Sequence, residues 1–503
     1  MLGIIIATLK VNPVIKVFIM VENISVDDML MKARSNVNKG NFFEAHKLYD
    51  AVLEAKKELM QHKLNKINEL SQKNAPKNPS QETLEQLNNL YNKGRFDAVI
   101  EKAQALTQEY PQSFITWNTL GAFATEIGIL DLAITAYEKA ILLKPDYDEA
   151  YCNMGITYQK LSKFNEAINA YNKAISFNNN YVNAHRNLSF ALLNSGRIKE
   201  GLDKYEWRWK TPIFISNQRH ISQPVWDGKE SLNGKKILLW HEQGIADTII
   251  WSSCLPLIIS QSKDCILECQ PKLVPLLKRS FPYIKVKAED RSLDFRRNDI
   301  DLHLPMGSLY KNFINEIMKR DKVDSYLIPN PTRVKFWKDR LNSIEKGPYI
   351  GISWKSANLT NKRLPNYAEI LDLSPVFKIP NATFINLQYA DFAEDLEKVA
   401  DFLGVKIHNF ADLDHFNNID DVTALCAALD MVVSTQSVVA SISAGVGTIT
   451  KIANWKASSN NNILYKPVGP FVDKFERDTL EPWDKVFNLI ANDIINYYRN
   501  TID

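Results

Sequence analysis

The sequence is poor in the groups that most often announce a metal site, a disulfide framework or a glycine-loop nucleotide site. Five cysteines in 503 residues, an odd number with no Cys-x-x-Cys pair, argue against a disulfide framework and against structural zinc. Cys265 and Cys269 fall in one strand-like run and read as buried thiols, so a reducing, cytoplasmic setting is expected. The eight histidines show no His-Glu-x-x-His spacing, and His408 and His415 read as surface residues. Neither Gly-x-Gly-x-x-Gly nor Gly-x-x-x-x-Gly-Lys-[Ser/Thr] occurs. Charge excess is also lacking: 61 Lys+Arg against 58 Asp+Glu gives +3, too little to argue for nucleic acid or an anionic membrane. Lys10, Pro13 and Lys16 interrupt the apolar stretch from Leu2 to Met20, which falls short of the roughly 20 residues a bilayer requires. No integral membrane segment is therefore expected. Met20 or a neighbour reads as the real start, with Ser25 capping a helix whose first turn carries Asp27 and Asp28.

What is present first is a repeat. Trp117, Leu120, Gly121, Ala133, Tyr137, Ala140 and Pro145 recur 34 positions later as Tyr151, Met154, Gly155, Ala167, Tyr171, Ala174 and Asn179. A third copy carries His185, Leu188, Ser189, Gly201 and Tyr205. Small residues let two helices approach, and large ones fill the groove between neighbouring pairs. These stretches look like tetratricopeptide repeats. A weaker copy precedes them, and a partial one lies near Gly40, with the Asn/Pro/Ser-rich linker "NELSQKNAPKNPSQETL" between. Stacked helix pairs make a concave face that suits an extended protein segment or peptide, and Asn118, Asn153 and Asn187 form a near-register polar row for such a groove. Tyr205, Trp207 and Trp209 are expected to seal the last helix against the next domain, and Pro212 to end it.

From Lys235 the pattern changes to short apolar strands alternating with helices, which implies α/β architecture with parallel sheets in two Rossmann-like lobes. The boundaries read as 1–79 for a helical segment with partial repeat and linker, 80–211 for the repeats, 212–346 for the first lobe and 347–503 for the second. In such lobes a ligand binds at the carboxyl ends of the strands. The residues placed there are Gln243, Gly244 and Asp247 after "KILLW", Lys355 after "YIGISW", Gln388 after "TFINL", and Ser437 at a helix start after "MVVST". Ser437 suits a phosphate, and Lys355, Lys362 and Arg363 suit a diphosphate.

These residues resemble a known arrangement, bacterial tetratricopeptide-repeat proteins with a carboxyl-terminal glycosyltransferase of the two-lobed B type. The second half is similar to the heptosyltransferase family and, more distantly, to O-linked N-acetylglucosamine transferases. Gly244, Asp247 and Leu255-Pro256 match the family's turn and helix in order, with Ala246 where the second glycine stands. The resemblance implies Asp247 as base for the acceptor hydroxyl, Gln243 and Gly244 beside the acceptor, and Lys355, Lys362, Arg363, Gln388, Gln436, Ser437 and Ser441 around a nucleotide-sugar donor. Gln436 and Ser441 stand where the family has an acid and an imidazole.

The expected function is inverting transfer of a sugar from a nucleotide-sugar, as substrate and without a further cofactor, to a protein or cell-surface glycan docked by the repeats. Metal independence is expected because no Asp-x-Asp pair is read beside a strand. The alternative is a degenerate lobe pair that binds a glycan or nucleotide and acts as a protein-interaction scaffold.

Overall fold

The computed structural model describes residues 26–73, 78–319, 325–344, 347–357, 364–456, 471–478 and 481–502. A start near Met20, a cap by Ser25, and the donor candidates Lys362 and Arg363 lie outside them. The chain divides into two compact units, Met1–Pro145 and Asp146–Asp503. That division falls inside the run of repeats.

The first unit is helical. Helices α1 (Val26–Asn38) and α2 (Phe42–Lys73) pair with each other, and α3 (Gln81–Asn92), α4 (Phe96–Glu109), α5 (Phe114–Ile127) and α6 (Leu130–Leu143) come after them. The predicted linker is shorter than its composition implied: α2 runs on to Lys73, and Ser80 already caps α3 by accepting from Thr83 N at 3.2 Å.

The second unit opens on α7 (Asp148–Lys160), α8 (Phe164–Phe177), α9 (Val182–Asn194) and α10 (Ile198–Tyr205). The small/large alternation in sequence has a direct cause here. A Cβ on Gly155 would lie 2.6 Å from the ring of Tyr171, a fully buried residue whose hydroxyl donates to Gln159 at 3.1 Å. In the first unit Gly121 stands in the same relation to Tyr137. Gly155→Ala is therefore expected to destabilise the second unit by roughly 1–3 kcal/mol through overpacking, outweighing the roughly 1 kcal/mol that alanine gains in helix propensity. Thermal unfolding reads this as a lower Tm; an unchanged or raised Tm would show that the ring has room.

A 3-10 turn over Glu206–Lys210 comes directly after α10. Trp207 stacks on His185 with ring centroids 3.5 Å apart, and Trp209 lies 5.6 Å from Trp240 on the first strand of the sheet. The aromatic seal expected from "YEWRW" is therefore present. Pro212 does not end a helix; it opens α11 (Pro212–Asn217), where its missing N–H costs nothing.

The first lobe holds β1 (Lys236–Trp240), α12 (Ile245–Ser252), α13 (Leu255–Ile259), β2 (Asp264–Cys269), α14 (Val274–Ser280), β3 (Lys285–Ala288), β4 (Leu302–Pro305), α15 (Leu309–Asn312) and α16 (Ile314–Lys319). Its strands are parallel in the order β3-β2-β1-β4. Helix α17 (Pro331–Asn342) leads to the second lobe: β5 (Tyr349–Ser353), α18 (Ser374–Phe377), β6 (Thr383–Asn386), α19 (Ala393–Leu403), β7 (Ile407–His408), α20 (Ile419–Cys426), β8 (Met431–Thr435), α21 (Val438–Val446), β9 (Ile449–Trp455), β10 (Val472–Arg477) and α22 (Trp483–Ile502). This sheet is also parallel, ordered β10-β9-β8-β5-β6-β7. The expected fold class, helical repeats followed by two parallel α/β lobes, is what the chain adopts. The stretch "NYAEILDLSPVF" is broken into 3-10 turns and the single turn α18, because Pro375 lacks the N–H a longer helix would use.

One apolar core joins the lobes. It includes Ile249, Leu255 and Leu304 of the first with Leu425, Val439 and Ile442 of the second. A separate core, with Ile350, Trp354, Val433, Phe487 and Ile490, covers the other face of the second sheet under α22.

Candidate functional site

Reversal of strand order creates a crevice at the carboxyl ends of a parallel sheet. In the first lobe that point lies between β1 and β4, and in the second between β5 and β8. The two crevices are furnished differently.

In the first lobe the turn His241–Gly244 carries the chain from β1 into α12. Asp247 sits in the first turn of α12, where its Oδ2 accepts from Gly244 N at 3.1 Å. The carboxylate thus compensates an otherwise orphaned donor and lies at the positive end of the helix. Gln243 reaches away from it, donating to Tyr205 Oη at 2.5 Å, while its carbonyl accepts from Gln270 at 2.9 Å. His241 is turned toward Glu289, at 3.5 Å. Burial alone would raise the Glu289 carboxyl, but His241 and Arg291 override it and hold the group down at about 2.

The crevice between β1 and β4 is filled from outside the lobe. Arg208, 1% exposed, enters it from the 3-10 turn after the repeats. Its Nε and one terminal nitrogen donate to Glu242 at 2.7 and 3.1 Å, that same nitrogen donates to Ser308 at 2.9 Å, and the other terminal nitrogen donates to Glu206 at 2.6 Å. Gly307 makes the space, since a Cβ there would lie 2.2 Å from Glu242 Oε1. Burial pushes the Glu242 carboxyl up and Arg208 pulls it back. A second buried ion cluster lies on β2, where Glu268 accepts from Arg219 and Arg297 at 2.6 Å each and pairs with Lys287 at 3.0 Å. Burial would raise Glu268, and these cations hold it below the ordinary glutamate value. None of these residues was singled out in the sequence. The usable signal was an arginine among aromatic residues in "YEWRW", because a guanidinium that stacks on rings, here Tyr205 at 4.5 Å and Trp209 at 4.9 Å, suits a buried ion pair.

In the second lobe the switch point carries Trp354 and Lys355 after β5 and Gln436 and Ser437 after β8. Lys355 pairs with Asp395 of α19 at 2.6 Å, and Asp395 also accepts from Trp354 Nε1 at 2.9 Å. Burial would raise Asp395, but Lys355 and Trp354 keep it below the usual aspartate value. Gln388 is fully buried and committed to backbone: its Oε1 accepts from Trp354 N and Lys355 N at 3.1 Å, and its Nε2 donates to Lys355 O at 2.8 Å. It fixes the course of the chain leaving β5. Gln436 is half-buried. Ser437 is buried at the start of α21 with its hydroxyl 2.9 Å from that of Ser434, and Ser441, 1% exposed, turns its hydroxyl to Ser437 O at 3.4 Å.

Asp247 and Ser437 are brought together only at the level of their helices, since α12 packs directly on α21. Tyr326 reinforces that contact, donating to Ile249 O at 3.0 Å while its own N–H donates to Gly445 O at 3.0 Å. Beside it, Lys272 donates to Phe416 O at 3.0 Å and Arg279 forms a two-pronged pair with Asp420.

The repeat asparagines differ in setting. Asn118 is buried within the first unit at 5% exposure. Asn153 and Asn187, in the second unit, are half-buried, and Asn187 hydrogen-bonds the Cys152 thiol, which burial pushes up to about 11.

Two sequence expectations need correction. His415 is not a surface residue; it is buried and its Nε2 lies 3.1 Å from Asn386 O, with burial lowering the imidazole. An Asp-x-Asp pair does stand after a strand, since Asp412-Leu413-Asp414 comes after β7. Asp412 is paired with Arg340 at 2.7 Å, and Asp414 accepts from Phe416 N and Asn417 N at 3.0 and 2.8 Å.

Fold and site together define a tetratricopeptide-repeat protein with a carboxyl-terminal pair of parallel α/β lobes. Residues 125–162 match the family model described as "TPR repeat", and residues 148–181 the one described as "Tetratricopeptide repeat". Among curated proteins the chain is similar to Protein FlbA of Caulobacter vibrioides, 27% identical over 418 residues that cover 79% of this chain and 70% of that one. Among solved structures it aligns with an O-GlcNAc transferase mutant of Thermobaculum terrenum at 13% identity, covering 83% of this chain and 90% of that chain with a TM-score of 0.32. It also aligns with a thermophilic TPR protein of Thermus thermophilus at 15% identity, covering 37% and 92% with a TM-score of 0.25. At these scores the alignments add nothing to what the strand orders establish directly. Among the described residues no helix is long and apolar enough to cross a membrane.

Proposed function

We propose that the chain is a glycosyltransferase of the two-lobed B type, passing a sugar from a nucleotide-sugar to a protein or cell-surface glycan acceptor that the repeats dock. The observation that supports it is the packing of α12 on α21, which sets the first-turn carboxylate of Asp247 in one lobe and the helix start at Ser437 in the other on a pair of helices in contact. Asp247 takes the proton of the acceptor hydroxyl, whose oxygen attacks the anomeric carbon. The bond from that carbon to the diphosphate breaks, with inversion, and the departing charge is met by N–H groups at the start of α21. Lys362 and Arg363, which come after β5 in sequence, are assigned the remaining charge. Gln436 and Ser441 belong to the donor side, and Gln388 positions Lys355.

One observation favours a second reading, in which the lobes bind without transferring. The lysine at the second switch point is already neutralised by Asp395, and Gln436 and Ser441 carry no charge at pH 7.

Thermal shift of the full chain against UDP, GDP, ADP and CDP, each with and without a linked sugar, tests the common element of both readings. At 100 times its Kd one such ligand adds about 2.7 kcal/mol of apparent stability. If no nucleoside diphosphate or nucleotide-sugar raises the Tm, the transferase reading and a nucleotide-binding scaffold both fail. If one does, release of its sugar to an acceptor separates the enzyme from the scaffold.

A further inference from the structure

A cavity of about 570 Å³ opens beside β4, away from the switch point of the second lobe. It lies within the roughly 300–1,000 Å³ typical of small-molecule sites. Its walls come from the segment linking the repeats to the first lobe and from β1, β4 and α15. Residues Pro224–Trp226 run alongside β4, with Trp226 N donating to His303 O at 2.8 Å, so this wall is a short extension of the sheet.

The lining has a distinct chemistry. Trp209, Trp226 and Trp240 all contribute. Trp226 and Trp240 spend their indole N–H groups internally, on Glu230 O at 2.8 Å and on His303 Nδ1 at 3.1 Å. What they have left for a ligand is apolar ring surface. The same bond fixes the His303 proton on Nε2, and burial lowers that imidazole to about 4, so it is neutral at pH 7. Arg219, the strongest cation in the wall, is consumed by Asp294 and Glu268. Lys311 lies 3.8 Å from Asp203, and Glu206 and Asp227 bring carboxylates. Such a lining offers a diphosphate no net positive charge, since Arg219 and Lys311 are matched by carboxylates. The buried amide nitrogen of Asn312 has no hydrogen-bond partner. An unsatisfied buried donor is costly, and a rotation of this amide toward a ligand oxygen would relieve that cost.

Apolar ring faces next to carboxylate, amide and ammonium groups of small net charge match a ring that is apolar on its C–H face and rich in hydroxyls on its edge. We infer that this cavity is a binding site for a neutral saccharide, separate from the nucleotide cleft. Glu206 is shared between the cavity wall and the buried ion cluster, because it lines the cavity and also binds Arg208, which holds Glu242 in the turn before α12. The inference does not depend on the lobes being catalytic.

The test is a titration of the full chain, by calorimetry and by saturation-transfer NMR, with glucose, galactose, mannose, N-acetylglucosamine and their β-linked disaccharides. At least one is expected to bind with a Kd on the order of millimolar or tighter, weakened about ten-fold by Trp209→Ala or Asn312→Leu. Asp227→Asn, at an exposed position, is expected to weaken binding with Tm unchanged, which guards against a folding artefact. Saturating UDP is expected to leave the saccharide affinity as it was. No binding by any of these sugars, binding indifferent to all three substitutions, or competition by UDP would each overturn the assignment. Any Tm shift by nucleotides is read independently, so this proposal and the transferase reading fail separately.

Discussion

Arg208→Met is expected to destabilise the second unit by about 3–5 kcal/mol, because it strands Glu242 as an unpaired charge in a buried crevice. The expectation rests on asymmetry. Neither partner of the Arg208–Glu242 pair reaches solvent, with side chains 1% and 0% exposed. The pair as a whole need contribute little, but removing one half leaves the desolvation of the other without compensation. Arg208→Met combined with Glu242→Gln is therefore expected to recover part of the loss, since a neutral amide replaces the orphaned carboxylate. A pH dependence comes with a definite sign. The folded-state pKa of Glu242 is already raised by burial. A raised carboxyl binds its proton more tightly when folded, so its contribution to stability falls as pH rises from the unfolded value through the folded one. Without Arg208 that rise is larger, and the deficit of the variant shrinks as the pH is lowered through the carboxylate range. Urea unfolding of both variants at pH 5 and pH 8 measures this. A loss below 1 kcal/mol, or one equal at both pH values, would show that water reaches Glu242 in the variant.

The sequence carried the layer order of this fold because periodicity is a local property. A 34-residue recurrence and a change from helical to alternating strand patterns are both visible without any contact information. Individual ligand-facing residues were harder to place because their role depends on what packs above them. Gln388 was found at a strand end, as expected, yet its amide is consumed by the backbone of Trp354 and Lys355, partners that lie more than thirty positions away in sequence. Lys355 was placed at a switch point, but Asp395 could be recognised as its partner only once the start of α19 was brought beside the segment after β5. The strongest omission, Arg208, sits 34 residues from Glu242 and a full secondary-structure layer away. Nothing in the intervening pattern records that approach. The last strand, β10, was also overlooked, since its apolar residues Val472 and Phe475 stand three apart and give no period-two signal, so that only the parallel partner β9 defines it.

Asp247→Asn is expected to lower sugar transfer by about 10²–10⁴-fold, the range a positioned general base contributes, while leaving nucleotide-induced stabilisation unchanged. Asparagine suits the test because Asp247 has a structural task as well: its Oδ2 accepts from Gly244 N at 3.1 Å and so closes the first turn of α12. An asparagine Oδ1 can accept the same N–H, so the turn survives although the base is gone. Asp247→Ala removes both, and is expected to add a stability loss of roughly 0.5–1.5 kcal/mol for the missing hydrogen bond. The two substitutions therefore separate the roles. A base predicts equal rate losses in both variants and a Tm loss in the alanine variant alone. A purely positioning residue predicts near-normal turnover with asparagine and a loss only with alanine. Turnover in Asp247→Asn within a factor of a few of the unsubstituted chain would remove Asp247 as the base. It would then leave a catalytic role, if transfer persists, to another group of the first lobe, with Glu242 excluded by its engagement with Arg208.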